Sequence, residues 1–159
     1  LINNAGMASM NHIITTPKIS FDKLIQTNFL GTFLFTREIS KFMLKDGGRI
    51  VNFSTVASPL NLEGEAVYAS SKAAIEKFTK ISSFELSKFN INVNCIGPTP
   101  VLTDLIKTVP KNKIDELIDK QSIKRLGNFD DVLNIIDFFL DEKSEFISGQ
   151  VIYLGGITN

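Results

Sequence analysis

The sequence predicts an α/β fold in which a doubly wound parallel sheet is covered by helices on both faces. Short apolar, β-branched runs alternate with longer segments of helical periodicity along the 159 residues. This alternation is typical of strand–helix–strand units, whose crossover helices pack on the sheet. The runs end in turn-forming residues such as Asn3-Asn4-Ala5-Gly6 and Gly97-Pro98-Thr99-Pro100, which mark the ends of strands.

The first part of the chain predicts a strand end, a polar loop and a long helix. Leu1-Ile2 leads into the first turn, and the loop continues to about Ser20, whose hydroxyl would cap a helix. That helix is expected to run to about Lys45, where Asp46-Gly47-Gly48 would end it. Five apolar residues recur near helical spacing on one side of it: Phe21, Leu24, Ile25, Phe29 and Phe33.

The middle of the chain predicts a strand, a loop and a second long helix. Arg49–Phe53 is a short β-branched run, and residues 54–65 contain Pro59 and Gly64 with little periodicity. Helical periodicity returns from Ala66 to about Lys88.

The last third predicts two further strands with helices between them. Residues 91–96 form a strand, and residues 101–126 form short helical pieces broken by Pro110, a plausible lid. An amphipathic helix begins at Phe129 or Asp130 and ends at Leu140, and residues 151–154 form the last strand.

The predicted sheet therefore has four strands, which is small for this class of fold. The chain lacks an initiator methionine and opens on what looks like the end of a buried strand. Leu1-Ile2 would then lie on an exposed sheet edge. We expect a fragment, the C-terminal part of a single domain.

Composition excludes several classes of function. The 17 basic and 17 acidic residues balance, which favours neither nucleic acid nor an anionic membrane surface as a partner. No apolar run approaches the ~20 residues of a membrane span. Cys95 is the single cysteine, so an internal disulfide is excluded and a reducing, cytoplasmic setting is expected. His12 has no Cys or His partner at ligand spacing, and we expect no metal site.

Tyr68 and Lys72 form the most informative pair of residues. Their four-residue separation places both side chains on one face of the predicted helix. A phenol normally titrates near pKa ~10, and a neighbouring cation favours the phenolate, which would lower that pKa toward the range useful for proton transfer. Taken alone, the pair also fits a surface lysine and a half-buried tyrosine on an ordinary helix.

The Tyr68/Lys72 pair becomes informative because of the order of four features along the chain. Asn3-Asn4-Ala5-Gly6 closes a strand, Asn28 lies in a helix, Ser54-Thr55 closes the next strand, and Tyr68 follows Thr55 by thirteen residues. This order and spacing resemble the classical short-chain dehydrogenases/reductases, nearest to the 3-oxoacyl-acyl-carrier-protein reductase-like members. The resemblance extends over the whole chain, including Pro98–Thr103 and Ser148-Gly149-Gln150.

The resemblance implies a Rossmann-like fold and a catalytic role for each of four residues. Tyr68 would give a proton to a carbonyl oxygen or take one from an alcohol. Lys72 would lower the pKa of Tyr68 and hydrogen-bond the ribose of NAD or NADP. Asn28 would hold a water that links Lys72 to solvent, although an asparagine inside a helix often bonds only to backbone. Thr55 would orient the substrate carbonyl.

The resemblance also implies which residues contact the cofactor. Small residues that follow the first strand would let the backbone approach the adenosine side, and residues after the third strand would lie near the nicotinamide. With Tyr68 and Lys72, these residues are Asn4, Ala5, Gly6, Pro98, Val101 and Thr103.

Two departures from the family pattern bear on activity. Thr55 stands where serine is usual, and its added methyl group restricts χ1, so full and reduced activity are both open. A Gly-x-x-x-Gly-x-Gly pattern, which binds pyrophosphate at a helix N-terminus, is absent from the sequence. The resemblance implies that three strands and their helices are missing, roughly 80–90 residues at ~30 per βα unit. The choice between NAD and NADP cannot be read without them.

Two functional hypotheses remain open. In the first, the intact protein interconverts a small-molecule carbonyl and a secondary alcohol with NAD or NADP. In the second, the chain is a truncated, non-catalytic module that folds or assembles without binding a cofactor. For both, apolar residues on more than one face of the helices predict a homodimer or homotetramer; they include Phe33, Phe35, Phe42, Phe78 and Phe84.

Overall fold

Four parallel strands form one sheet in a computed structural model that describes residues 1–103, 106 and 109–158. The strands are β1 (Ile2–Asn3), β2 (Gly48–Phe53), β3 (Ile91–Gly97) and β4 (Val151–Tyr153). They lie in the order β1-β2-β3-β4, and each neighbouring pair is parallel. The predicted doubly wound α/β fold is confirmed.

Helices connect the strands and cover the sheet. In chain order they are α1 (Lys18–Leu24), a π-helical segment (Ile25–Leu30), α2 (Gly31–Met43), α3 (Ala57–Leu60), α4 (Ala66–Leu86), α5 (Lys111–Lys120) and α6 (Phe129–Leu140). Single 3₁₀ turns occur at Ile13–Thr15, Ser87–Phe89 and Glu142–Ser144. Within the described ranges, no helix is long and apolar enough to cross a membrane.

The first long helix departs from its prediction at its start and in its interior. Helix α1 begins at Lys18, and its N-cap is Pro17 rather than Ser20. The Pro17 carbonyl accepts the amide hydrogens of Ser20 and Phe21, and the ring of Pro17 holds the φ that suits a helix start. The π-helical turn between α1 and α2 was not predicted, because its pattern of apolar residues is close to that of an α-helix.

A second departure lies in the segment predicted as loop between β2 and α4. Residues 57–60 form the short helix α3. The Thr55 hydroxyl accepts the amide hydrogen of Ala57 at 3.2 Å, which satisfies one free donor of this turn. Val56 beside it packs with Leu117 of α5 and with Ile157. Contacts distant in sequence therefore stabilise the helix, and no local periodicity could show them.

The sheet has an apolar core on each face. Val51 and Ile96 pack against Phe139 of α6 on one face. Ile50 lies on the other face, because successive strand side chains alternate, and there it packs with Ile91 and Val93. The second core also receives residues of α2 and α4, namely Met43 and Leu86. Helices thus cover both faces.

Buried amides connect the sheet to α2 and α4. Asn3 donates to the Thr36 hydroxyl at 3.0 Å and to Asn52 Oδ1 at 2.8 Å. Asn52 in turn donates to the Thr79 hydroxyl at 2.9 Å. Buried polar groups stabilise a structure only when they are paired, so this chain of bonds fixes both helices at one position along β1 and β2.

All four strands end at the same edge of the sheet, since they are parallel. The turn after β1, Thr55, Pro98 and the residues that follow β4 therefore meet there. Helix α5 begins after Pro110, as predicted for the lid segment, and packs near this edge through Leu117. Four residues of the predicted lid, 104, 105, 107 and 108, lie outside the described residues.

We expect Phe139→Ala to lower the free energy of unfolding by about 3–5 kcal/mol, because it leaves a cavity between α6 and the sheet. Phe139 is 1% exposed. Phe146→Ala is the matched control, since Phe146 is 100% exposed and its loss should change stability by less than about 0.5 kcal/mol. Urea denaturation followed by circular dichroism measures both; equal effects would contradict the assigned core.

Candidate active site

A cavity of about 930 Å³ opens at the edge where the strands end. It brings together most of the residues that the sequence predicted for the site: Asn4, Gly6, Thr55, Tyr68, Lys72, Pro98, Val101 and Thr103. Two predicted residues do not line it. Ala5 is exposed beside the cavity wall, and Asn28 is completely buried behind it.

Tyr68 lies in the first turn of α4 and faces the cavity. Burial raises the pKa of its phenol, a hydrogen bond with the Thr55 hydroxyl opposes this shift, and the charge of Glu65 adds to it. The direction is opposite to the lowered pKa expected from the sequence, because removal from water disfavours the phenolate. The phenol of Tyr68 is therefore protonated at neutral pH.

Lys72 lies one turn further along α4 and is 5% exposed. Its Nζ donates a hydrogen bond to the carbonyl of Phe53, the last residue of β2, at 2.9 Å. Burial lowers the pKa of the ammonium from 10.5 to about 8, with the charge of Cys95 opposing. The bond to β2 holds the lysine in place, and its lowered pKa limits how strongly it can favour a phenolate.

Gly6 closes the wall of the cavity behind Lys72. A Cβ atom at this position would lie 3.3 Å from Lys72 Nζ and 3.5 Å from Asn28 Oδ1. The first distance is tighter than ordinary van der Waals contact, so a larger residue would displace the ammonium. Glycine avoids this close contact because it has no Cβ atom.

Asn28 lies in the π-helical segment with no exposed surface. Its Oδ1 accepts the amide hydrogen of Met7 at 2.9 Å, and its Nδ2 donates to the Met7 carbonyl at 3.0 Å and to Ser71 Oγ at 2.9 Å. Ser71 donates to the Tyr68 carbonyl at 2.7 Å. The side chain thus bonds to backbone and to a serine, as an asparagine inside a helix often does. Through these bonds it joins the turn after β1 to the first turns of α4.

Sequence reasoning missed two carboxylates near the site. Glu76 lies one turn beyond Lys72 on the same face of α4, and it accepts a hydrogen bond from the Ser54 hydroxyl. Burial and then a hydrogen bond with Glu76 raise the pKa of Tyr153 on β4. Glu65 precedes Tyr68 by three residues and lines the cavity. Their spacing was the signal in the sequence: Glu65 precedes Tyr68 by three residues, and Glu76 follows Lys72 by four.

Cys95 is the buried thiol that the sequence predicted. It has no exposed surface, and burial, with the charge of Glu76 adding to it, raises the pKa of the thiol to about 12. Such a thiol is a poor nucleophile at neutral pH.

Comparison with known proteins assigns the family. A family model described as enoyl-(acyl carrier protein) reductase matches residues 1–158, a span that includes Asn28, Thr55, Tyr68 and Lys72. The chain belongs to the short-chain dehydrogenases/reductases. Within this family it is similar to the 3-oxoacyl-acyl-carrier-protein reductases, as the resemblance in the sequence indicated.

Individual relatives agree with this assignment. The chain is 28% identical over 157 residues to 3-oxoacyl-(acyl-carrier-protein) reductase FabG of Staphylococcus epidermidis, with 98% of this chain and 64% of that protein covered. It is 34% identical over 160 residues to NADPH-dependent aldehyde reductase 2, chloroplastic, of Arabidopsis thaliana, with 98% and 59% covered. It matches the structure of 4-hydroxyisoleucine dehydrogenase complexed with NADH at a TM-score of 0.88 and 28% identity, with 98% and 66% covered. The chain thus spans less than two thirds of the length of each of these relatives.

We expect Lys72→Met to stabilise the fold at pH 7 by roughly 1–2 kcal/mol, because it removes a charge that burial disfavours. The folded pKa of about 8 lies below the ordinary 10.5. Between these values the unfolded chain holds the extra proton, so wild-type stability rises with pH. The advantage of the variant should therefore shrink from pH 8 to pH 10.5.

Denaturant unfolding at a series of pH values measures the difference. Lys77→Met is the matched control, since Lys77 lies on the same helix but is exposed, and it should change stability by less than about 0.5 kcal/mol. A pH-independent difference between wild type and Lys72→Met would contradict the assigned burial of the ammonium.

Proposed function

We propose that the protein containing this chain is an NAD(P)-dependent oxidoreductase that interconverts a small-molecule carbonyl and a secondary alcohol. The observation that carries the proposal is the shared cavity of Thr55, Tyr68 and Lys72 at the ends of parallel strands. Ligands of open α/β sheets bind in this position. Membership in a family of oxidoreductases supports the reaction class.

The residues present fit a nicotinamide cofactor. The turn at Asn4, Ala5 and Gly6 would take the adenosine side, because it is exposed at the cavity and its small residues would let the backbone approach a ligand. Pro98, Val101 and Thr103 would lie along the nicotinamide. One relative is named as NADPH-dependent and one matching structure contains NADH, which supports NAD or NADP. The nicotinamide supplies the hydride in reduction and accepts it in oxidation.

Tyr68 and Thr55 act on the substrate oxygen in this proposal. The raised pKa of Tyr68 keeps the phenol protonated at neutral pH, and in this proposal it donates that proton to the carbonyl oxygen as the alcohol forms. The Thr55 hydroxyl hydrogen-bonds the same oxygen and orients it. A protonated tyrosine favours carbonyl reduction near neutral pH, whereas alcohol oxidation needs the phenolate and a higher pH.

Lys72 and Asn28 have supporting roles. Lys72, fixed by its bond to Phe53, would reach the ribose and return a proton to Tyr68. Through its bonds to Met7 and Ser71, Asn28 would keep the residues beside Lys72 in place for this proton transfer. The water-mediated relay expected for Asn28 stays part of the proposal.

We further propose that the protein is a cytoplasmic homodimer or homotetramer. Three aromatic side chains on α2 and α4 leave most of their surface exposed, with Phe35 at 61%, Phe42 at 81% and Phe84 at 84%. Helix faces of this kind bury apolar surface when two copies pack together. The buried single cysteine is compatible with a reducing compartment.

Light scattering on the full-length protein should give the mass of two or four chains. Phe84→Asp combined with Phe35→Asp should lower that mass, because charges at a packed helix face oppose association. Asp in place of exposed Phe146, which lies outside the two helices, is the control and should leave the mass unchanged. A monomeric wild type would contradict the assembly.

We expect Tyr68→Phe in the full-length protein to lower kcat by at least about 100-fold, since general acid catalysis contributes ~10²–10⁴ in rate. NADH and NADPH binding, followed by fluorescence, should change little. Unchanged turnover would remove Tyr68 as the proton donor. A wild type without any carbonyl turnover would favour the non-catalytic module.

Two variants of Thr55 separate its hydroxyl from its shape. Thr55→Val keeps the branched shape and removes the hydroxyl, so kcat should fall by roughly 10-fold or more. Thr55→Ser keeps the hydroxyl and should retain activity. Equal activity of wild type and Thr55→Val would contradict the role of the hydroxyl.

A further inference from the structure

Helix α4 and the end of β2 are joined by a series of hydrogen bonds along one face of the helix. The helix residues in these bonds recur every three or four positions, which places them on the same face. The pairs are Tyr68 with Thr55, Lys72 with the Phe53 carbonyl, Glu76 with Ser54, and Thr79 with Asn52. The first two belong to the proposed proton transfer, and the last connects the helix to the sheet. The pair of Glu76 and Ser54 has no role so far.

Glu76 is connected to Thr55 from both sides. The Ser54 hydroxyl donates to Glu76 Oε1, and Ser54, which is buried, immediately precedes Thr55 in the chain. On the other side, Tyr153 of β4 hydrogen-bonds both Glu76 and Ser58, and the Ser58 amide donates to the Thr55 carbonyl at 3.2 Å. One route therefore runs through the neighbouring residue of β2, and the other runs through β4 and α3.

The ring of Tyr153 reaches Glu76 because β3 leaves room for it. Gly97, the last residue of β3, is paired with Tyr153 in the register of the sheet. A Cβ atom at Gly97 would overlap ring carbons Cδ1 and Cε1 of Tyr153. A larger residue would displace the ring, so glycine at this position lets the phenol cross the end of β3 toward α4.

The backbone around Thr55 is held to the sheet independently of Glu76. The Ser54 amide donates to the Ile96 carbonyl at 2.7 Å, and the Val56 amide donates to the Pro98 carbonyl at 3.2 Å. These bonds fix Thr55 relative to β3, but they do not fix it relative to α4.

The bonds of Glu76 supply that second connection, because Glu76 lies two turns after Tyr68 on the same helix. The direct bond between Tyr68 and Thr55 would be exchanged when a substrate oxygen lies between them, whereas the bonds of Glu76 would remain. A simpler role for Glu76 is to pair two polar side chains and so stabilise the fold alone.

We propose that Glu76 is a positioning residue, which accepts hydrogen bonds from Ser54 and Tyr153 and thereby holds the Thr55 hydroxyl where it shares the substrate oxygen with Tyr68. Glu76 touches neither substrate nor cofactor in this role. Because a displacement of ~1 Å can cost ~100-fold in rate, its loss acts on kcat rather than on cofactor binding. This inference rests on the proposed function.

Steady-state kinetics of the full-length protein test the inference with NADH or NADPH and three probe ketones of different shape: cyclohexanone, acetophenone and ethyl acetoacetate. Glu76→Leu removes both hydrogen bonds and should lower kcat for the fastest probe at least about 10-fold. The KM for the nucleotide should change by less than about 2-fold.

Two further variants are the rescue and the control. Glu76→Gln keeps an oxygen that accepts from Ser54 and adds an amide that can donate to the Tyr153 phenol, so it should retain most of kcat. Glu85→Leu makes the same change as Glu76→Leu at an exposed glutamate of α4, and it should leave kcat unchanged.

A double-mutant cycle with Thr55→Val tests whether Glu76 acts through the Thr55 hydroxyl. That hydroxyl is already absent in the Thr55→Val background, so Glu76→Leu should lower kcat there by less than about 3-fold, since residues of one network have non-additive effects. Ser54→Ala combined with Tyr153→Phe removes the two donors instead of the acceptor and should reproduce the loss seen in Glu76→Leu. Circular dichroism at the assay temperature verifies that each variant is folded.

The outcomes keep the two proposals apart. Equal losses of kcat in the wild-type and Thr55→Val backgrounds would overturn the positioning role, as would a lower melting temperature of Glu76→Leu with unchanged kcat. A Glu76→Gln enzyme as slow as Glu76→Leu would also overturn it, because the charge rather than the hydrogen bonds would then matter. Each of these results leaves the oxidoreductase intact.

Absence of turnover with every probe ketone in wild type would overturn the proposed function and this inference with it. If Glu76→Leu does not fold, the combined Ser54→Ala and Tyr153→Phe variant takes its place in the cycle with Thr55→Val, and the same comparison of the two backgrounds decides.

Discussion

The arrangement of the site depends on the hydrogen bonds of one buried side chain, Asn28. Both polar atoms of its amide pair with the backbone of Met7, and its Nδ2 also reaches Ser71. These bonds join three parts of the chain: the turn after β1, the π-helical segment and the first turns of α4. Asn28 lies in the π-helical segment, and such turns often occur at functional sites. The bonds of Asn28 help to hold Met7, and with it the neighbouring Gly6, beside Lys72.

The edge of the sheet concentrates groups whose charged or unpaired state burial disfavours. Lys72 has a pKa lowered to about 8, Tyr68 and Glu65 have raised pKa values, and Glu65 Oε2 has no partner in the described part of the chain. Away from this edge, where the sheet packs on α4, the polar groups are paired instead: Asn3, Asn52 and Thr79 all make hydrogen bonds. Paired polar groups position helices, whereas the burial of the cavity groups is only partly compensated, which shifts their pKa values. Strand β2 contributes to both regions: Asn52 belongs to the paired network, and the Phe53 carbonyl accepts the hydrogen bond from Lys72 at the cavity.

Most of the elements could be predicted from the sequence, because their signals are local. The β-branched run of β3 and the capped amphipathic helix at Phe129–Leu140 were found within a residue of their bounds. Helix α3 could not be predicted, since it depends on a contact distant in sequence, Val56 with Leu117. The π-helical turn was missed because its apolar pattern is close to that of an α-helix. The start of α1 at Lys18 was missed because Ser20 is a good N-cap by type, while Pro17 acts through its fixed backbone.

The sequence by itself determined the fold class and predicted which residues form the candidate site. The prediction of the site depends on the types and spacing of four residues, Asn28, Thr55, Tyr68 and Lys72, and both can be read directly from the sequence. Only the tertiary structure decided the environment of those groups. The pKa of Tyr68 shifts upward rather than downward, and Glu65 Oε2 has no hydrogen-bond partner among the described residues, because burial and pairing are set by residues that folding brings together from several elements.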